Sequence, residues 1–199
     1  NMNYPVREIS YPLEGRNPRN LEICIQGSVC PQEVLVVGAH YDSPLGSPGA
    51  NDNASGAAAV LEMARIFKTL TPPARTLRFV WFVNEEPPYF TTADMGSRVY
   101  ARQLARDRVN VRGMVCMETI GYYSDAAGSQ RYPFPVSLFY PRTGNFIGVI
   151  GNMGSRPLVR EAIDAFRRTT QFPSEGVAAP GWVPGVAWSD HGSFWMERY

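Results

Sequence analysis

Apolar and polar positions alternate with a period of two over Leu21-Glu22-Ile23-Cys24-Ile25, as they do in a strand with one buried face. After a turn at Gly27-Ser28 the pattern becomes an unbroken apolar run, Val34-Leu35-Val36-Val37, suited to a central strand covered on both faces. That run gives out at Gly38-Ala39-His40. A loop rich in Gly, Pro and Ser follows, and over residues 55–70 the apolar positions Val60, Leu61, Ala64, Ile66, Phe67 and Leu70 fall at helical spacing. A second apolar strand over residues 77–83 runs straight into Asn84-Glu85-Glu86. A helix over about residues 97–106 and a third strand over 111–117 come next, and this strand stops at Glu118. Residues 122–142 are turn-rich and aromatic, with Pro133, Pro135 and Pro141 among Tyr132, Phe134, Phe139 and Tyr140, and read as an excursion rather than a regular element. Helical spacing resumes over residues 156–170.

Strands alternating with helices predict an α/β fold, a mostly parallel sheet covered by helices on both faces. No internal repeat, low-complexity tract or long linker divides the chain, so residues 1–199 read as one domain. Ligands of such sheets gather at the carboxyl ends of the strands. Those ends are where His40, Glu85-Glu86 and Glu118 stand.

Composition narrows the function classes. With 19 basic and 18 acidic side chains, the formal charge of +1 provides no field to steer nucleic acid or an acidic membrane surface, and neither is expected as a partner. No apolar run approaches the roughly 18 residues that span a bilayer, and the start, Asn1-Met2-Asn3-Tyr4-Pro5, has no features of a signal peptide. Three cysteines do not imply a bridged framework: Cys24 and Cys30 pairing across a hairpin, and all three remaining free thiols, are both open, and so is the compartment.

His40 and Asp42 are two apart, so in an extended segment they point to the same side and the carboxylate can orient the imidazole. Asp52 lies in Gly49-Ala50-Asn51-Asp52-Asn53-Ala54-Ser55-Gly56 just before the helix, where a metal-ligand role and a helix-capping role are both consistent; Ser55 or Asn53 can cap in its place. Glu85 and Glu86 are adjacent carboxylates ending an apolar strand. Buried and unpaired they would repel each other, whereas a cation removes the conflict and lets one ligate while the other takes a proton; a solvated strand end is the alternative. Glu118 is a further acid at a strand mouth, and Ser189-Asp190-His191 carries the second of the chain's two histidines. Mixed imidazole and carboxylate donors suit zinc, with manganese or cobalt as alternatives. No Gly-x-Ser-x-Gly elbow is present, and no histidine neighbours Cys116 in sequence, so a Ser or Cys nucleophile fits poorly.

In their order, Gly38-Ala39-His40-Tyr41-Asp42-Ser43, Gly49 to Gly56, Asn84-Glu85-Glu86, Met117-Glu118-Thr119-Ile120-Gly121 and Ser189-Asp190-His191 resemble the motifs of the zinc aminopeptidase family, which includes bacterial leucyl aminopeptidase, aminopeptidase Y and glutamate carboxypeptidase. The resemblance implies the three-layer sandwich of the zinc exopeptidases, a peptide substrate and two zinc ions. In it His40 binds one zinc, Asp52 bridges both, Glu86 completes the first site and Glu118, where many members carry Asp, binds the second. Glu85 is the general base toward the attacking water between the zincs, and Asp42 orients His40. Asp190 and His191 lie near the substrate pocket rather than on the metal. Members also supply a final zinc-binding histidine after the Ser-Asp-His motif and a helical segment ahead of the first strand. Neither is found here, so the resemblance implies either a chain shortened at both ends, the favoured expectation, or an incomplete second site. A single-zinc enzyme like the glutaminyl cyclases and a non-catalytic binding domain of the same fold are the competing expectations. The aromatic stretch from Tyr122 to Tyr140 and the Phe194-Trp195 pair fit either an apolar substrate pocket or core packing.

Overall fold

The computed structural model describes residues 4–132, 134 and 136–199, so Asn1, Met2, Asn3, Pro133 and Pro135 lie outside the described residues. By their contacts the residues form two compact units, one of residues 1–121 with 189–199 and the other of residues 122–188.

The first unit is built on a five-stranded sheet of β1 (Arg7–Ser10), β2 (Arg19–Ile25), β3 (Cys30–His40), β4 (Arg75–Phe82) and β5 (Asn110–Cys116), in the spatial order β1-β2-β4-β3-β5. β3 pairs in parallel with β4 and with β5, while β2 runs antiparallel to both β1 and β4. The sheet is therefore mixed, with four strands pointing one way and β2 against them. Alternation sorts its side chains onto two faces. Ile23, Ala39, Leu77, Phe79 and Trp81 pack with Val60 and Ala64 of α1 (Ala54–Phe67). Val34, Val36, Val80 and Phe82 pack on the other face with Tyr100, Ala101 and Leu104 of α2 (Gly96–Arg106) and with Phe194, which lies in the later short helix His191–Met196. Helices thus cover both faces, which explains why β3 and β4 read as continuous apolar runs. Phe194, 1% exposed, stacks on Phe82 and Tyr100 at 6.2 Å from each, so it is a core residue rather than a pocket wall.

The second unit holds β6 (Ile147–Gly151) and β7 (Ser174–Ala178), a parallel pair crossed by α3 (Arg156–Thr169), which buries Val159 and Ile163. Arg167 of α3 donates to the Ser174 hydroxyl and carbonyl, tying the helix to the start of β7. Within the excursion the Tyr140 hydroxyl donates to the Gly176 carbonyl, while Tyr122, Phe134 and Phe139 are exposed. In chain order the helix His191–Met196 is α4. Among the described residues no helix is long and apolar enough to cross a membrane.

Candidate active site

The parallel register brings three strand exits level. His40 is opposite Phe82, and Gly38 is opposite Cys116, so the residues just past β4 and β5 emerge beside His40. The main chain continues the alignment, with the Tyr41 amide donating to the Phe82 carbonyl and the Met117 amide to the Gly38 carbonyl.

His40 is buried at the centre of a ring of acids. Its Nε2 lies 3.1 Å from Asp52 Oδ1, 3.5 Å from Glu118 Oε2 and 3.8 Å from Glu85 Oε2. Two sets of donor atoms lie within 4.8 Å of one another: His40 with Asp52 and Glu118, and His40 with Glu85 and Glu86. Every residue taken as a metal ligand from the sequence is in one of these sets. Burial alone would push the His40 imidazole down; hydrogen bonding to Asp42 and Glu118, with the charges of Asp190 and Glu85, more than reverses this and raises it to about 11. The acids show the other side of the same crowding. Burial first, then the Asp190 charge, pushes Glu85 up to about 8, and burial followed by Asp52 raises Glu86.

Asp42 does more than face the histidine. Its Oδ1 is 3.5 Å from His40 Nδ1, whereas the hydrogen-bond partner of that nitrogen at 3.2 Å is Asp42's own carbonyl. The carboxylate instead accepts the main-chain amides of Glu85 (3.2 Å) and Glu86 (3.1 Å), clamping the exit of β4. Burial pushes Asp42 up, but these hydrogen bonds and His40 outweigh it, so its carboxyl lies below the ordinary range.

Helix capping leaves Asp52 to the site. Asn53 caps α1 by accepting the Gly56 amide, and the Ser55 hydroxyl donates to the Asn51 carbonyl, so Asp52 projects from the helix entrance with its side chain half exposed. Glu118 is held from two directions: Ser189 Oγ donates to its Oε2 at 2.6 Å, and Asn53 Nδ2 reaches the same oxygen at 3.4 Å. Sequence reasoning missed Ser189 and weighed Asn53 only as a cap. The run of polar residues around Asp52, longer than one cap needs, was the available signal.

Asp190 lies beside this group of acids, and its charge raises both His40 and Glu85. It is 0% exposed, and neither of its carboxylate oxygens has a hydrogen-bond partner within bonding geometry among the described residues. Burial pushes its carboxyl up to about 7, outweighing Ser97, which is near enough to lower it. His191 is half-buried, with its ring edge-on to Trp195 at 4.6 Å. All three cysteines are free thiols.

A helix-covered mixed sheet with one imidazole and a group of carboxylates at its strand exits defines an α/β protein with a candidate metal centre. The family model for peptidase family M28 matches residues 20–164, and the chain belongs to that family. It is 39% identical over 173 residues to the Escherichia coli (strain K12) protein YfbL, described as uncharacterized, covering 82% of this chain and 52% of that one. It is 32% identical over 147 residues to an aminopeptidase of Pseudomonas aeruginosa, covering 73% of this chain and 24% of that one. The solved structure of BSAP, described as a zinc aminopeptidase from Bacillus subtilis, superposes with a TM-score of 0.67 at 23% identity over 93% of this chain and 39% of that one, which shows a shared fold. The chain thus spans about half the length of YfbL and about a quarter of the P. aeruginosa enzyme.

Proposed function

We propose that this chain is the catalytic core of a zinc-dependent aminopeptidase, which removes the N-terminal residue of peptides. The observation that carries the reading is the meeting of one buried imidazole with the carboxylates of Asp52, Glu85, Glu86 and Glu118 at the exits of parallel strands. The donor set fits zinc: imidazole nitrogen and carboxylate oxygen are its ordinary partners, and a cation offsets the burial and the neighbouring negative charge that raise Glu85 and Glu86. His40, Asp52 and Glu118 would hold one ion. Glu86 would serve a second, with Asp52 shared, which exchanges Glu86 and Glu118 relative to the partition implied by the resemblance. The grouping of Glu118 Oε2, 3.5 Å from His40 Nε2, with His40 and Asp52 in one set supports the exchange. Bound zinc supplies a Lewis acid that polarises a scissile carbonyl and lowers the pKa of water.

The chain's own groups handle the proton. Glu85, buried at the exit of β4, takes the proton of the attacking water as a carboxylate and returns it to the leaving amine. Asp42 keeps that carboxylate in place by holding its main-chain amide.

Hydrolysis of leucine p-nitroanilide, with and without chelator and with Glu85→Gln alongside, tests the proposal. Activity that disappears with chelator, returns with zinc and is absent from Glu85→Gln is the expected result. A zinc-loaded protein that releases nothing from a panel of aminoacyl substrates overturns the peptidase reading. Metal content then separates the alternatives, with one zinc per chain pointing to a cyclase-like centre and none to a binding domain.

A further inference from the structure

Around the exit of β5 three consecutive main-chain amides find side-chain acceptors on one short loop. Thr119 donates to Asn53 Oδ1 at 3.2 Å, Ile120 to Ser55 Oγ at 3.0 Å and Gly121 to Asn51 Oδ1 at 2.8 Å. These acceptors flank Asp52, and the amides directly follow Glu118.

Asn53 is the hub of this arrangement. It is 1% exposed, and its amide uses both ends. Oδ1 accepts from Gly56, capping α1, and from Thr119; Nδ2 donates to the Met117 carbonyl at 2.9 Å and lies 3.4 Å from Glu118 Oε2. A cap alone needs only the first of these four contacts. The glycine it caps is required too: a Cβ at Gly56 would collide with the Met117 carbonyl and with Asn53 Oδ1, so helix and strand exit approach main chain to main chain.

We infer that Asn53, with Asn51 and Ser55, is a positioning latch that locks the loop bearing Asp52 to the exit bearing Glu118, so that these two carboxylates are set at His40 before any ion arrives. The inference rests on the metal reading above. Its physical reason is that carboxylates gathered without a cation repel one another, and a loop free to relax would move them apart. An amide side chain suits the task because it donates and accepts at once and adds no charge to a group already crowded with acids. A carboxylate at position 53 could accept the Thr119 and Gly56 amides but would face the Met117 carbonyl and Glu118 with oxygen.

The discriminating variant is Asn53→Ser, because serine caps a helix about as well as asparagine but is too short to serve the other contacts. Zinc affinity is read by competition with a chromophoric chelator, and amide exchange at Thr119, Ile120 and Gly121 is read in the metal-free protein. Val60→Ala is the control, since it loosens α1 in the core without touching the site. The expected result is an affinity for zinc roughly 10- to 100-fold weaker in Asn53→Ser and unchanged in Val60→Ala, with faster exchange at Thr119 only in the former. Asn53→Ser that binds zinc like the parent, or a Val60→Ala that loses as much, overturns the latch. A parent protein that binds no zinc overturns the metal reading instead, and the exchange at Thr119 still decides whether the latch exists. Should Asn53→Ser fail to fold, Asn51→Ala and Ser55→Ala each remove one acceptor and are read in the same two ways.

Discussion

The two arms of the site are built differently. In the Glu85-Glu86 arm the main chain hangs from a carboxylate, Asp42, and Glu85 is buried. In the Asp52-Glu118 arm the main chain hangs from neutral groups, Asn51, Asn53 and Ser55, and both acids are partly open to solvent, with side chains 54% and 29% exposed. The contrast follows the work each arm would do. Glu85, proposed as the general base, is the buried acid, and burial lifts its carboxyl to about 8 in the metal-free protein. Asp52 and Glu118, proposed as ligands, are reachable by a cation, and the groups that hold their main chain bring no further negative charge.

The comparison can be broken most sharply at the buried arm. Glu85→Gln keeps the volume and removes the proton acceptor; kcat is expected to fall by roughly 10²- to 10⁴-fold with zinc content intact, as steady-state kinetics beside metal analysis would show. A loss of zinc in parallel would instead make Glu85 a ligand. Gly56→Ala strikes the open arm through its backbone, where no flexible side chain can give way to the new methyl at the Met117 carbonyl. A destabilisation of about 3 kcal/mol is expected in the metal-free protein by denaturant unfolding. Asp42→Ala leaves two amides without an acceptor. Because Asp42 is partly solvated, about 1–2 kcal/mol is expected, with hydrogen exchange accelerated at Glu85 and Glu86 and unchanged at Thr119. Equal acceleration in both places would mean that the arms move as one.

The smallest effect is in pH. Glu85 and Asp190 are raised from ordinary carboxyl values to about 8 and about 7, and His40 from 6.5 to about 11. For each, the folded form binds a proton more tightly than the unfolded one, so the stabilisation is complete below the unfolded pKa and is lost as pH rises through the folded value. The metal-free protein is therefore expected to lose stability from about pH 4, where the carboxyls begin to titrate in the unfolded chain, to about pH 11, where His40 deprotonates in the folded one. Asp42, shifted down, acts in the opposite sense and only at the acid end, where its contribution is lost as pH falls. Thermal midpoints across this range give the slope, and Glu85→Gln should make it shallower; a midpoint that rises with pH would contradict the crowding of acids around His40.

Periodicity made β2 to β5 and α1 to α3 legible, because each buries a face large enough to impose a pattern. β1 escaped: in Arg7-Glu8-Ile9-Ser10 only Ile9 is buried, as suits a strand at the sheet edge. β6, bounded by glycine near both ends, and β7, with one buried residue, carried equally faint signals. α4 is too short to show a helical period.

By itself the sequence singled out His40, Asp52, Glu85, Glu86 and Glu118, which the fold gathers at the strand exits. Acids and a histidine placed where apolar strands end are a local pattern, and the order of the motifs tied them to one family. Only the tertiary structure decided how they are shared out. Register set Glu118 level with His40, a clamp from β3 holds the exit of β4, and Asn53 reaches from a helix cap across to β5. Burial set Asp190 apart from solvent. The physical reason is that hydrogen bonds of a side chain to distant main chain, and the desolvation of a charge, depend on which segments the fold brings together, and no spacing along the chain records that.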